Sequence, residues 1–185
     1  MRRPDLTLGQ GPAPSRARGA APPRRPGTER LGGGLALALG LLALLVAWLA
    51  QHRLGLVPCA LCLLERWPYR VLAVLGLAAL VVPSRAGRLV LLLCAAPLLA
   101  ALLLSATHVG VEQGWWPDPL PQCTAPTWHG GSIAERLASM PLRPVKPCDS
   151  PTRLVAWLPV SMATLDFLYA LLSSLLILWA ARRSA

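Results

Sequence analysis

The chain has 185 residues, of which 55% are hydrophobic and 14% charged, with a net charge of +10. A soluble domain carries about 25% charged residues, so a water-bathed globule is excluded. The positive charge does not mark a nucleic-acid binder, because the basic residues sit in short segments between long apolar blocks.

Residues 1–33 are rich in Pro, Gly, Ala and Arg and lack apolar periodicity, so they read as a disordered basic tail. A start codon assigned too far upstream is the alternative. The tail is too long and too proline-rich for the charged region of a signal peptide. A first membrane span is expected at 34–52. The apolar run from Val71 to Pro83 is only 13 residues long, and a crossing helix needs about 20. The second span must therefore start near Leu61 and occupy 61–82, taking Glu65, Arg66 and Arg70 into its first turns. A third span is expected at 89–108 without a charge, and a fourth at 154–180 with one, Asp166.

Arginines mark the tail, the short loop holding Arg85 and Arg88, and the end at 181–185, which holds Arg182 and Arg183. Basic segments stay on the cytoplasmic side, which places both termini there and the loop 109–153 in the periplasm. The expected fold is an all-α membrane protein, a four-transmembrane-helix bundle over 34–180 with a long periplasmic loop. Within that loop Ser132 and Glu135 have the spacing of a capping box. Ile133, Leu137 and Met140 then recur on one helical face. A short amphipathic helix is expected there, lying either on the membrane surface or against the loop. Trp115 and Trp116 read as interfacial anchors.

Five cysteines are present: Cys59, Cys62, Cys94, Cys123 and Cys148. Cys59 and Cys62 form a Cys-x-x-Cys pair at the start of span two. The positive end of a helix favours a thiolate there, and Arg66, four residues after Cys62, faces the same side. A structural disulfide and half a zinc site are the competing readings. Zinc sites commonly pair two such motifs or add closely spaced histidines, and here Cys123 and Cys148 stand apart among prolines, so no metal is expected. Haem attachment requires His after the second cysteine, where Leu63 stands. Cys123 and Cys148 lie in the loop, as an exchangeable pair or as a staple. Cys94, among leucines, reads as a small hydrophobe. His108 and Gln51 end their spans at the level of the Cys-x-x-Cys. Each is either a satisfied interfacial side chain or a ligand-binding group. Asp166 is deeper; an intramembrane carboxylate is costly and suggests function, with pairing to an arginine and simple protonation both open.

Gln51-His52, then Pro58-Cys59-x-x-Cys62-x-x-Glu65-Arg66, then His108-Val-Gly-Val-Glu112-Gln-Gly-Trp115-Trp116 leading to Cys123, then Cys148-Asp149 with Trp157 and Ser161-Met162-Ala163 follow in order. In this arrangement, from about Trp48 to Phe167, the chain resembles the disulfide-bond formation protein B (DsbB) family of bacterial inner-membrane oxidases. The resemblance implies that Cys59 and Cys62 pass electrons to a bound quinone, ubiquinone or menaquinone, with Cys62 the thiolate facing the ring. It implies Arg66 as the residue stabilising that complex, and His108 and Gln51 as quinone-site neighbours. Cys123 would form a mixed disulfide with a periplasmic DsbA-like oxidase of thioredoxin fold, and Cys148 would be its loop mate. Pro68 and Asp166 depart from the family pattern. The nearest enzymatic alternative is the vitamin K epoxide reductase type, whose Cys-x-x-Cys usually comes late in the bundle. A stapled four-span scaffold is the non-enzymatic one.

Overall fold

A computed structural model of the chain describes residues 28–123, 132–139, 146–154, 157 and 159–183. The expected tail over 1–27, and Met140 of the expected amphipathic face, lie outside them. Among the described residues the regular structure is helical, apart from one isolated antiparallel bridge between Arg153 and Ser161. Three helical stretches among the described residues are long and apolar enough to cross a membrane: Arg30–His52, Ala86–Glu112 and Met162–Arg183.

Helix α1 (Thr28–His52) begins inside the segment expected to be tail. Its three glycines at 32–34 do not end it, because the helix is in close contact there: a Cβ on Gly33 would lie 2.8 Å from the Cβ of Ala79. After α1, Gly55 takes a left-handed φ of 66°, a conformation that favours glycine, and the chain turns toward Pro58 and Cys59.

The second expected span is broken into α2 (Ala60–Leu64) and α3 (Arg66–Val81). The break at Glu65 comes three residues before Pro68. Proline has no N–H, so the carbonyl of Leu64 lacks its ladder partner. The third span breaks by the same rule, into α4 (Ser84–Leu93) and α5 (Ala95–Glu112), at Cys94, three residues before Pro97. At both breaks the backbone stays near helical values (Glu65 φ −59°, ψ −20°; Cys94 φ −62°, ψ −18°), so each path shifts without unwinding. The predicted basic loop at 83–88 shrinks to the Val82-Pro83 link, because Ser84 onward is already helical.

The last long helix, α7 (Met162–Arg183), starts eight residues after the predicted Leu154. Arg153, Leu154, Trp157 and Pro159 to Ser161 lie outside the helix, and two local causes act there. Pro159 disfavours helical backbone at the residue before it, and Ser161 acts as a cap, its Oγ accepting from the N–H of Thr164 at 3.2 Å. The short helix in the long loop, α6 (Ile133–Ser139), forms where its capping box predicts. The amide of Ser132 donates to Glu135 Oε2 at 2.7 Å, and the amide of Glu135 donates to Ser132 Oγ at 3.3 Å. Ile133 and Leu137 on its apolar face are exposed.

Helix α1 packs on α3 and α7, and α5 packs on the same two. The α1–α3 contact is the tightest backbone approach. A Cβ on Gly76 would come within 2.4 Å of the Leu37 amide nitrogen, and one on Gly40 within 2.8 Å of the Tyr69 carbonyl. Small residues let helix backbones touch in this way where lipid supplies no hydrophobic drive. Ala36, Tyr69, Leu72, Leu91, Cys94, Leu98, Ala170 and Ile177 fill one buried cluster. Leucines at 41, 45, 99, 103, 172 and 175 point outward and are exposed, as a lipid-facing surface requires.

Candidate functional site

At one end of the packed helices the chain gathers four of its five cysteines. Cys59 precedes the first turn of α2, and its sulfur accepts from the amide of Cys62 at 3.2 Å. The two sulfurs are 2.8 Å apart and form a dithiol. Cys123, in a short 3₁₀ turn (Pro121–Cys123), is disulfide-bonded to Cys148. Cys59, Leu61, Val111, Cys123 and Cys148 share one buried cluster, with Cys62 and Leu120 packed against it. The loop pair was expected in flexible, accessible chain. Instead both of its sulfur-bearing residues are fully buried, because the loop folds back onto α2.

Behind the dithiol stands a hydrogen-bonded pair, His108 and Glu65. His108, from α5, places Nε2 3.5 Å from Cys59 Sγ and Nδ1 2.9 Å from Glu65 Oε1. His108 and Glu65 are buried, at 2% and 6% exposure. Cys59 lies outside the spanning segments, and its thiol is held below the ordinary thiol range, first by its hydrogen bond with Cys62 and then by His108. The interactions that favour a thiolate thus converge on Cys59, whereas the resemblance had implied one on Cys62.

On the other side of Cys62 opens a cavity of about 390 Å³ between α1, α3 and α7. Its wall is mostly apolar, from Leu42, Val46, Leu56 and Leu165 among others, with Cys62, Glu65, Arg66, Gln51 and Asp166 as polar members. Arg66 donates to Gln51 Oε1 at 2.9 Å, so the two side chains expected to bind a cofactor act together. The Arg66 Nε–H is buried with no partner among the described residues, and so is Asp166 Oδ2. His108 is a correction: it does not line the cavity, because its ring is turned into the contact between Cys59 and Glu65. Asp166 pairs with neither arginine nor lysine among the described residues; Tyr69 Oη donates to its Oδ1 at 2.8 Å. Cys94 is fully buried, its thiol donating to the Val90 carbonyl at 3.4 Å, remote from the cysteine cluster.

Glu65 and Asp118 are the site residues that sequence reasoning did not single out. Glu65 carried a signal, a carboxylate among the first turns of an apolar helix. For Asp118, an acid in a proline-rich loop, there was none. Trp115 and Trp116, expected as anchors, are exposed. Trp116 also turns back over α5, its Nε1 donating to the Thr107 carbonyl at 3.0 Å and its ring lying where a Cβ on Gly110 would be. The left-handed Gly114, with φ of 70°, makes that turn.

Apolar helices and a dithiol packed on a disulfide define a membrane protein of thiol–disulfide chemistry. The family model "Disulfide bond formation protein DsbB" matches residues 29–180. The chain belongs to this family, membrane oxidoreductases of disulfide-bond formation. A protein of Pasteurella multocida (strain Pm70) named Disulfide bond formation protein B is 30% identical over 161 residues, which is 78% of this chain and 85% of that one. An uncharacterized protein of Rickettsia prowazekii (strain Madrid E) is 32% identical over 78 residues, 42% of this chain, and the match spans under half, 45%, of its length. No solved structure matches.

Proposed function

We propose that the chain is an inner-membrane oxidase that reoxidises a periplasmic DsbA-like dithiol oxidase of thioredoxin fold and delivers the electrons to membrane quinone. The observation that carries this reading is the position of Cys62. It belongs to the dithiol, and it also lines an apolar cavity together with Arg66, whose buried Nε–H has no partner among the described residues. The cavity volume falls in the range of small-molecule sites, roughly 300–1,000 Å³. An apolar ring bearing a carbonyl oxygen matches that wall and that unpaired donor. A bound quinone would supply an acceptor for two electrons and two protons.

The protein's own residues handle the rest. Arg66, hydrogen-bonded to Gln51, would hold the carbonyl end of a bound ring in the cavity that Cys62 lines. His108 takes the proton of Cys59 at Nε2, and Glu65 stabilises the resulting imidazolium at Nδ1. Cys59 and Cys62 would close to a disulfide only with a bound acceptor that takes two electrons, the Cys59 proton having passed to His108 and the Cys62 proton leaving with the electrons. In the other half of the cycle, a partner thiolate attacks Cys123, Cys148 leaves, and the partner's second thiol resolves the mixed disulfide. The reduced loop pair then attacks the Cys59–Cys62 disulfide, against which it already packs. A quinone is needed because a strongly oxidising partner, near about −120 mV, is not reoxidised by an ordinary thiol buffer.

The topology proposed with this function has four spans, both termini in the cytoplasm and both cysteine pairs on the periplasmic side. The broken helix over 60–81 would be the second crossing. At 1.5 Å per residue, 22 residues reach about 33 Å, enough for a hydrocarbon core of about 30 Å. The packing supports one basic face: Gly32 meets Leu91 and Gly33 meets Ala79, which brings Arg30 and Arg88 to one end. Ala181 joins Leu91 in the same buried cluster, so Arg182 and Arg183 share that end.

The test is purified protein with a reduced thioredoxin-fold oxidase and a soluble ubiquinone or menaquinone analogue, followed by quinone absorbance. The proposal expects absorbance to fall as the partner is oxidised. Partner oxidation without quinone loss would refute it.

A further inference from the structure

The buried loop disulfide has an acid beside it that the proposed cycle does not use. A carboxylate oxygen of Asp118 and the sulfurs of Cys123 and Cys148 all lie within 4.8 Å of one another. Asp118 Oδ1 is buried and has no hydrogen-bond partner among the described residues. An orphaned buried carboxyl oxygen is costly.

Thiol–disulfide exchange explains why an acid would stand there. When a thiolate attacks one sulfur, the other leaves with the electron pair as a second thiolate. Leaving-group quality controls the rate. In water the departing charge is solvated. Cys123 and Cys148 are both fully buried, so a bare thiolate formed there is poorly stabilised. A proton delivered as the bond breaks removes that penalty.

We propose that Asp118 is the general acid and base of the loop disulfide, protonating the departing sulfur during reduction and taking the proton back during reoxidation. The inference rests on the reading that this disulfide exchanges with a partner thiol. The step balances as follows. A bond forms between the attacking sulfur and Cys123 Sγ, and the Cys123–Cys148 bond breaks. Its electron pair goes to Cys148 Sγ, the proton moves from Asp118 to that sulfur, and solvent reprotonates the carboxylate. The second thiol of the attacking dithiol then displaces Cys123.

The surroundings suit an acid that keeps its proton at higher pH than usual. Asp118 lies outside the spanning helices, and its carboxyl is pushed up by burial, then by the negative charges of Asp149 and Cys59, while His108 opposes them.

The test is reduction of the Cys123–Cys148 disulfide by dithiothreitol in the full-length protein in detergent, without quinone, read by mass after thiol trapping. Rates are divided by the dithiothreitol thiolate concentration at each pH. For the wild type the normalised rate should step down as pH rises through the Asp118 titration. Asp118→Asn should abolish the step and slow reduction at the acid end by on the order of 100-fold, the lower end of general acid catalysis. Asp118→Glu should restore the step. A step that survives in Asp118→Asn, or an Asp118→Asn that is slow but keeps the wild-type pH profile, would overturn the inference and leave the proposed cycle standing. A wild-type disulfide inert to dithiothreitol at every pH would overturn both.

Discussion

His108 and Glu65, 43 residues apart in sequence, meet at 2.9 Å in a site that is almost fully buried. The imidazole is thereby fixed with its other nitrogen toward Cys59. A carboxylate that orients a histidine beside a nucleophile is a recurrent way of activating a thiol. Here Glu65 also forms part of the wall of the cavity at Cys62, so one side chain touches both the thiol relay and the proposed acceptor site.

Removing His108 should therefore alter Cys59 before it alters anything else. The Cys59 thiol is held low in part by His108. Thiolate is thus present below the ordinary thiol range, and it is lost as pH falls through the lowered value. His108→Ala should move the midpoint of Cys59 alkylation to higher pH, with labelling at pH values below both midpoints slowed about tenfold for each unit. The measurement is iodoacetamide labelling of the quinone-free protein across pH, with Cys62 replaced by Ser in both backgrounds. An unshifted midpoint would remove His108 from the relay.

Glu65→Gln should reproduce part of that shift, and adding it to His108→Ala should change little more. Residues acting through one another are non-additive. A double variant shifted by the full sum of the two single effects would show that Glu65 acts on Cys59 independently.

Arg66→Ala should raise the apparent KM for quinone more than that for the partner oxidase, because Arg66 lines the cavity beside Cys62. Gln51→Ala should do the same more weakly, since Gln51 reaches the cavity's chemistry through Arg66. Steady-state titration of each substrate separates the two effects. An unchanged quinone KM in Arg66→Ala would contradict the assignment.

The α1–α3 contact predicts a contrast between two glycines. Gly76→Ala puts a methyl against the Leu37 backbone, whereas at Gly34 a Cβ meets only Leu80 Cδ2, at 4.0 Å. Gly76→Ala should destabilise by about 1–3 kcal/mol, while Gly34→Ala should be neutral or stabilise by up to roughly 1 kcal/mol. Thermal unfolding in detergent, followed by cysteine accessibility at Cys94, ranks them. Equal melting temperatures would place α1 and α3 farther apart.

The sequence disclosed those parts of this protein that depend on local physics. The apolar runs near 34–52 and the later part of 154–180 are helices because nothing within them interrupts the ladder, and Ser132 and Glu135 cap α6 by short-range pairing. Pro68 was a visible warning of the break at Glu65, and Pro97 carried the same warning for Cys94. The resemblance drew attention to Gln51 and Arg66, but their hydrogen bond joins two helices and no spacing rule finds it. The burial of Cys123 and Cys148 against Cys59, and the Tyr69 partner of Asp166, likewise come from tertiary packing. Hydropathy could indicate which elements cross a membrane, but not which faces they turn to each other.

The central claim is that Cys62 joins the dithiol to the acceptor cavity. Protein reduced at Cys59 and Cys62, with Cys123 and Cys148 replaced by Ser, should be mixed with one equivalent of quinone, and the thiols and quinone absorbance followed together in a single turnover. The account predicts one Cys59–Cys62 disulfide formed per quinone reduced, abolished by Cys62→Ser. A dithiol that stays reduced while quinone persists, or quinone loss at the same rate in Cys62→Ser, would contradict it.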